Sequence, residues 1–426
     1  MRQSELFGGT MREAPKDEVA VNAKLLERGG FVHKTMAGVY DWLPLGLRVL
    51  NNVNAIIREE MNAIGGVEVF LSALQPKERW EKTARWEVLA DIMYQFKDHS
   101  GRDVGLAVTH EEAVSEIATR FIHSYKDLPR FIYQIQTKFR DEPRAKSGVI
   151  RGREFLMKDL YSFHRDEADL EKFYAKADKA YRRIFTRCGV DVLVTEASGG
   201  TFTKNFSHEY QAVSEAGEDF TLSCEKCRYA QNKEISTITE GETCPKCGGV
   251  IRGAKTIEVG NIFKLGTKFS EAFGVSYADE TGERRPVFMG CYGIGPGRLV
   301  GTVAEVNHDE RGLIWPEAVA PFRVHLVALF GKEKSVRQKV VREADRLYEK
   351  LLAKGVAVLY DERGETSAGE KFADADLLGI PWRVVVSEKT CAAHAFEVKR
   401  RSVAKVTMMS WDVLMKKIVP TTRRRG

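Results

Sequence analysis

The sequence contains no apolar run approaching the ~18–20 consecutive residues that a membrane-spanning helix requires, so no membrane is expected among its partners. Its opening stretch, MRQSELFGGTMREAPKDE, lacks the basic-then-apolar order of a secretory leader. A cytoplasmic location is the expectation. Neither charge sign dominates: 66 Lys and Arg stand against 60 Asp and Glu, a net charge of +6. That balance neither demands a nucleic-acid partner nor excludes one. The excess is local, in KRRSVAK (399–405) and RRR (423–425), and such runs read equally as a solvated face or a frayed tail. Internal repeats and low-complexity tracts are missing too, which leaves out repeat arrays. The chain is 426 residues long, 43% hydrophobic and 30% charged, which suits a soluble protein of two or three domains.

The apolar pattern predicts a long amphipathic helix over 45–64, closed by Gly65-Gly66, then a strand over VEVFLSALQ (67–75) that stops at Pro76. LAVTHEEAVSEIATRFIHSY reads as a strand running into a helix. RFIYQIQTKFRDE and REFLMKDLYSFHR read as the arms of an antiparallel hairpin around the loop PRAKSGVIRG, and a helix follows, ending at Gly189. Strand-like runs resume with VGNIFKLGT and PVFMGCYGIG, with a helix starting near Arg298. Pro316 and Pro321 bracket a linker, beyond which strands and helices alternate as in a small α/β domain.

The charge of the hairpin loop is its salient feature. KFRDEPRAKSGVIRGREF (138–155) carries four arginines, two lysines and three acids between two apolar arms. One reading is a surface hairpin laced with salt bridges. The other is a grip on a nucleoside triphosphate. Guanidinium forks match phosphate oxygens, a carboxylate accepts from an adenine amino group, and a phenylalanine face stacks on the base.

The spacing favours the second reading. FRDE followed by RxxxF (Arg151 to Phe155) resembles motif 2 of the class II aminoacyl-tRNA synthetases, and GIGPGRL (293–299) resembles their motif 3. Within that class the chain resembles the prolyl-tRNA synthetases of bacterial type. The similar segments include GVYDWLPLGLRVL, VTHEEAVSEI, REFLMKDLYSFH, SHEYQ, VGNIFKLGTKFSEA, MGCYGIG, DERGLIWPEAVAPF and GEKFADADLLGIP, in collinear order along nearly the whole chain.

The resemblance implies a role for each matching residue. Arg140 contacts the α-phosphate and the proline carboxylate, Glu142 faces the adenine amino group, and Phe155 stacks on the ring. Arg151 and Arg298 hold the outer phosphates, while Thr267 and Ser270 lie near the adenosine. Thr109 and Glu111 bind proline, whose secondary ammonium needs a buried anion. Met157, Asp159, Tyr161 and His164 build the floor of that pocket, and Cys291 lines it. Arg140 and Arg298 are the expected catalytic pair. ATP and Mg2+ are the implied cofactors, with the metal bridging phosphate oxygens. No nucleophile is implied, because activation is in-line attack of a carboxylate on the α-phosphorus. The partners implied are L-proline, tRNA(Pro) and a second copy of the chain, as a homodimer. Two positions depart from the pattern: Ser72 stands where motif 1 usually has proline, with Pro76 retained, and Gly297 stands where many class II enzymes have glutamate.

Cys224, Cys227, Cys244 and Cys247 form C-x2-C-x16-C-x2-C, the spacing of a zinc ribbon. The alternative is a loop of reduced cysteines; Cys188 and Cys391 read as core thiols. Many relatives of bacterial type carry a large editing domain between the SHEYQ and VGNIFKLGTK segments. Here that slot, 212–258, holds little besides the cysteine segment. The resemblance is therefore to the short form, with editing of mischarged alanine left to a separate deacylase. DERGETSAGEKFADADLLGIP resembles the anticodon-binding domain, in which Arg363, Lys371 and Asp374 are the candidates for reading bases.

The expected architecture is an α+β catalytic domain over 1–320 built on an antiparallel sheet. It carries a zinc-ribbon-like insert at 220–252 and is followed by an α/β anticodon-binding domain at 321–426. A threonine-specific enzyme of the same class would hold its substrate with an active-site zinc bound by cysteine and histidines. Here the paired cysteines lie outside the motifs, and THEE supplies an anion instead. A paralogue that only binds nucleic acid would have no use for Arg140, Glu142, Arg151, Phe155 and Arg298.

Overall fold

The computed structural model describes all residues except 15–17, 144, 146, 201, 203–205 and 420–426, so the basic run at 423–425 lies outside the described residues. The chain divides into two compact units. One comprises residues 34–40 and 53–305; the other joins residues 1–33 and 41–52 to 306–426. The sequence reading assigned everything up to 320 to a single catalytic domain, whereas the first 33 residues cluster with the C-terminal unit.

The larger unit is built on a nine-stranded sheet. Its middle is an antiparallel run of four strands in the order Ile251–Gly266, Phe288–Ile294, Glu154–His164 and Arg130–Phe139. The expected hairpin is in place, paired without interruption from Arg130 opposite Phe163 to Phe139 opposite Glu154. Alternation of side chains gives the two faces different jobs. Phe131 stacks at 3.9 Å on Phe173 of the helix Glu167–Cys188, and Tyr292 and Tyr210 meet the same helix through Phe173 and Tyr181. Asp166 caps that helix by accepting from the Asp169 N–H, and Gly189 closes it in the left-handed region at φ +78°. The opposite face, carrying Gln134, Lys138, Asp159 and Cys291, is free of the helix and holds the cavity described below.

The stretch expected as one strand over 67–75 is divided. Only Val67–Glu68 joins the large sheet, parallel to Ile132–Tyr133, and Leu74–Pro76 pairs instead with Val104–Leu106 in a separate three-stranded sheet. Between them, side chains replace the ladder: the Leu71 N–H donates to Gln134 Oε1 at 3.0 Å, and Gln136 Nε2 donates to the Leu71 carbonyl at 2.7 Å.

The C-terminal unit holds a five-stranded sheet in the order Val358–Asp361, Val324–Ala328, Trp382–Val386, Phe396–Arg400, Val406–Met409. The first three strands are parallel and the last two run antiparallel. Leu326, Val358 and Val384 pack on Leu347 and Leu414 from the helices Lys334–Ala353 and Trp411–Ile418. The start of the chain extends this sheet, with Arg2 bridging to Tyr360 and the terminal ammonium donating to the Tyr348 hydroxyl at 2.6 Å.

Candidate active site

The cavity on the helix-free face is walled at one end by the motif-like arginines and at the other by the THEE loop. Arg140, Glu142, Arg151, Phe155 and Arg298 line the first end; Thr109, Glu111, Met157, Asp159 and Cys291 line the second.

The arginines are held by backbone carbonyls and by acids. Arg298, in the first turn of the helix Pro296–Val306, donates through Nε to the Ile150 carbonyl at 2.8 Å and through Nη1 to the Glu258 carbonyl at 2.9 Å. Its fork therefore braces the loop of the hairpin against the neighbouring strand. Among the described residues the Arg140 guanidinium donates to the Val108 carbonyl, at 3.2 and 3.3 Å, and its central carbon lies 5.4 Å from the Phe155 ring centre. Burial and the facing charge of Arg298 both push the Arg140 pKa down. Two cations converging in a half-buried cleft form a site for an anion. Arg151 pairs with Glu142 at 2.6 Å and with Glu218.

At the other end, chain geometry delivers the anion. Glu111 and Glu112 occupy the first turn of the helix Glu111–Ala118, where the backbone dipole favours a carboxylate. Glu111 is fully buried, accepting from Thr109 Oγ1 at 2.5 Å and from the Cys291 thiol at 3.0 Å. Burial, then the Glu111 carboxylate, push the Cys291 thiol well up, so it remains a neutral donor. Beneath the floor, Asp159 accepts from Lys138 Nζ, Gln134 Nε2 and the Tyr161 hydroxyl, each at 2.9 Å. Burial opposes ionisation of Asp159, and Lys138 overrides it, holding the carboxyl below its usual range. His110, pressed by burial to a pKa of about 4, stays neutral and donates its Nε2–H to the Ser72 carbonyl at 3.0 Å.

Four expected residues fall outside the cavity wall. Tyr161 lies under the floor, buried, with its hydroxyl spent on Asp159 and on the His110 N–H. His164 points to the helix side, against Phe131 and Phe173, with Nδ1 2.9 Å from Asp169 Oδ2. Thr267 precedes the helix Lys268–Phe273, and Ser270 Oγ donates to the Val287 and Thr267 carbonyls at 2.5 and 2.9 Å. Those contacts tie the helix to the chain beside it. In the C-terminal unit, Lys371 is 1% exposed, donating to the Ala328 carbonyl at 2.8 Å, and Asp374 accepts from Arg363 at 2.8 Å. Arg363 also pairs with Asp361 at 2.7 Å. These three side chains form an internal brace, which presents no open hydrogen-bonding edge of Lys371 to a base.

Sequence reasoning missed several wall residues. Glu258 sits one position before the VGNIF segment and pairs with Arg298 at 3.5 Å; burial pushes its pKa up against that cation. Its signal was an acid inside the strand Ile251–Gly266, immediately before the run VGNIF. Phe202 also lines the cavity, packed on Phe263 at 4.8 Å, and no local pattern marked it.

The four paired cysteines converge. All their sulfurs lie within 4.8 Å of one another, with Cys224 to Cys247 at 3.5 Å and Cys227 to Cys244 at 3.7 Å. A tetrahedron with metal–sulfur bonds of ~2.3 Å has edges of ~3.8 Å, so the donor set fits a single zinc ion. Each C-x2-C turn is closed by a left-handed residue, Arg228 at φ +60° and Gly248 at φ +73°. Gly249 must lack a side chain, since a Cβ there would stand 2.9 Å from Cys224 Sγ.

Residues 94–307 match the family model of the tRNA synthetase class II core domain (G, H, P, S and T), and residues 323–420 match that of the anticodon binding domain. The proline–tRNA ligase of Syntrophus aciditrophicus is 33% identical over 98% of this chain and 98% of its own length. That of Moorella thermoacetica is 34% identical over 94% and 95%. The chain belongs to the proline–tRNA ligase family. The alignment to the Syntrophus enzyme runs over 569 positions against the 426 residues here, so that relative carries sequence which this chain lacks. In fold, the chain superposes on Giardia lamblia prolyl-tRNA synthetase in complex with prolyl-adenylate with a TM-score of 0.76 at 20% identity, over 91% of this chain and 73% of that one.

Proposed function

We propose that the chain activates L-proline with ATP to prolyl-adenylate, releasing diphosphate, and then transfers the prolyl group to the 3′ end of tRNA(Pro). The observation that carries this reading is one cavity with two cations at one end and a fully buried carboxylate, Glu111, at the other. A triphosphate needs the first end and a secondary ammonium the second.

The residues position charge; none attacks. Arg140, at the first end, draws the proline carboxylate and the α-phosphate together, and its contact strengthens as negative charge builds on the phosphorus oxygens. Arg298 and Arg151 hold the outer phosphates, and Phe155 offers a ring face to the base. Glu142, engaged by Arg151 at 2.6 Å, is aimed at the adenine amino group. Mg2+ would be held chiefly by the phosphate oxygens, with few protein ligands, and would neutralise phosphate charge. Zinc in the Cys224, Cys227, Cys244 and Cys247 site would be structural, because four thiolates leave no position for substrate.

The exposed Val67, Phe70 and Leu74 beside the divided strand support a homodimer through this face. No helix among the described residues is long and apolar enough to cross a membrane, and a cytoplasmic location accords with the substrates. The C-terminal unit is the region for tRNA(Pro), with Arg363 the member of its brace nearest solvent, at 25% exposed. ATP–diphosphate exchange dependent on L-proline tests the reading.

A further inference from the structure

Glu111 and Glu112 stand side by side at the start of one helix, and both are fully buried. Two adjacent carboxylates out of water repel each other and resist ionisation. Yet Glu111 has to be ionised to accept an ammonium. Arg85 is the residue whose ion pairs reach both. It is 4% exposed, donates from Nη1 to Glu112 Oε1 at 2.9 Å, and stands 3.5 Å from Glu111 Oε2 with the same nitrogen. Thr83 Oγ1 donates to the same Glu112 oxygen at 2.8 Å.

The guanidinium is also fixed from its sides. Its carbon lies 4.9 Å from the Phe202 ring centre, 5.5 Å from that of Phe269 and 5.6 Å from that of Trp80. Aromatic faces attract a cation and keep water from it. The backbone entering Arg85 is held in a conformation that L-residues avoid, with Ala84 at φ +56°. Arg85 is not part of the cavity wall, so it acts through a neighbour.

We propose that Arg85 is a positioning residue for amino-acid recognition, holding the Glu111 carboxylate in place and aimed at the ammonium of the substrate. The inference rests on the proline reading above. At formal charges Arg85, Glu111 and Glu112 sum to minus one, and the secondary ammonium of proline brings that sum to zero. An arginine suits this place better than lysine, because its planar group fits between the rings of Phe202, Phe269 and Trp80 while one of its nitrogens reaches both carboxylates. Glu112 then competes with Glu111 for Arg85 and has no direct duty toward substrate.

The test is steady-state ATP–diphosphate exchange with the full chain, comparing wild type with Arg85→Met, Arg85→Lys and Glu112→Gln. Arg85→Met is expected to raise KM for proline by ~30-fold or more, with KM for ATP within ~3-fold of wild type. Arg85→Lys should recover part of the loss. Glu112→Gln leaves Arg85 to Glu111 alone, and KM for proline should stay at or below the wild-type value. If Arg85→Met does not fold, Glu112→Gln decides the matter. A KM for proline that is unchanged in Arg85→Met, that rises together with the KM for ATP, or that rises in Glu112→Gln would overturn the proposal. Absence of proline-dependent exchange in the wild type would instead overturn the functional reading beneath it.

Discussion

Cys291 donates its thiol hydrogen to Glu111 across 3.0 Å, from the strand Phe288–Ile294 to the first turn of the helix Glu111–Ala118. Both groups are buried, so the bond is charge-assisted and unscreened by water. It fixes the carboxylate from one side while Thr109 fixes it from another. Glu111→Gln should therefore raise KM for proline by ~100-fold or more, as a buried charge pair with the substrate is lost, and leave KM for ATP within ~3-fold. Cys291→Ser keeps a donor and should cost less than ~10-fold. Steady-state exchange kinetics on the two variants decide it.

Arg140→Ala should lower proline-dependent exchange by at least ~100-fold, with the fall in kcat at least as large as any rise in KM. The reason is that Arg140 meets charge that develops in the transition state. A loss confined to KM would show that it serves binding alone.

Protein purified without added zinc should carry about one zinc per chain by elemental analysis. Stripping the metal with a chelator should lower the melting temperature, since the four thiolates must then be neutralised or exposed. Cys227→Ser should lower metal content to well under one per chain. Metal-free protein with the wild-type melting temperature would contradict a structural role.

Much of the candidate cavity wall was named in the sequence by the resemblance, and strand alternation accords with part of it. Met157, Asp159 and Tyr161 share one face of the strand Glu154–His164, and the hairpin register puts Gln136, Gln134 and Ile132 opposite them. The same alternation places His164 on the other face, among Phe131 and Phe173. Period two alone would have removed it from the proline floor. The strand over 67–75 was misjudged for a different reason. Alternation reports which residues face which side, and carries no record of the partner that will pair with them. Here Gln134 and Gln136 take over the backbone of Leu71, a choice made by tertiary packing. The burial of Lys371 and Asp374 was not legible, because charge reads as exposure until its counter-ions are known. Asp361 and Arg363 supply them only in the folded unit.

The short chain has a consequence for accuracy. Alanine lacks about two carbons of proline, worth ~1.6 kcal/mol at ~0.8 kcal/mol per buried methylene, or roughly 15-fold discrimination. Relatives of this chain carry sequence that it lacks. Its own slot at 212–258 is taken up by the strand Asp219–Cys224 and the cysteine knuckles. Pre-formed alanyl-tRNA(Pro) should therefore survive incubation with the purified chain at close to its spontaneous rate of hydrolysis, and a separate deacylase should clear it. Rapid deacylation by the chain itself would reveal an editing site.

The central claim is that one cavity pairs a triphosphate with a secondary ammonium, and the most direct measurement is ATP–diphosphate exchange across the twenty amino acids. Proline is expected to drive exchange best, with alanine the strongest of the others at roughly one fifteenth of its efficiency or less. Exchange driven best by threonine, or by any other amino acid, would contradict the account.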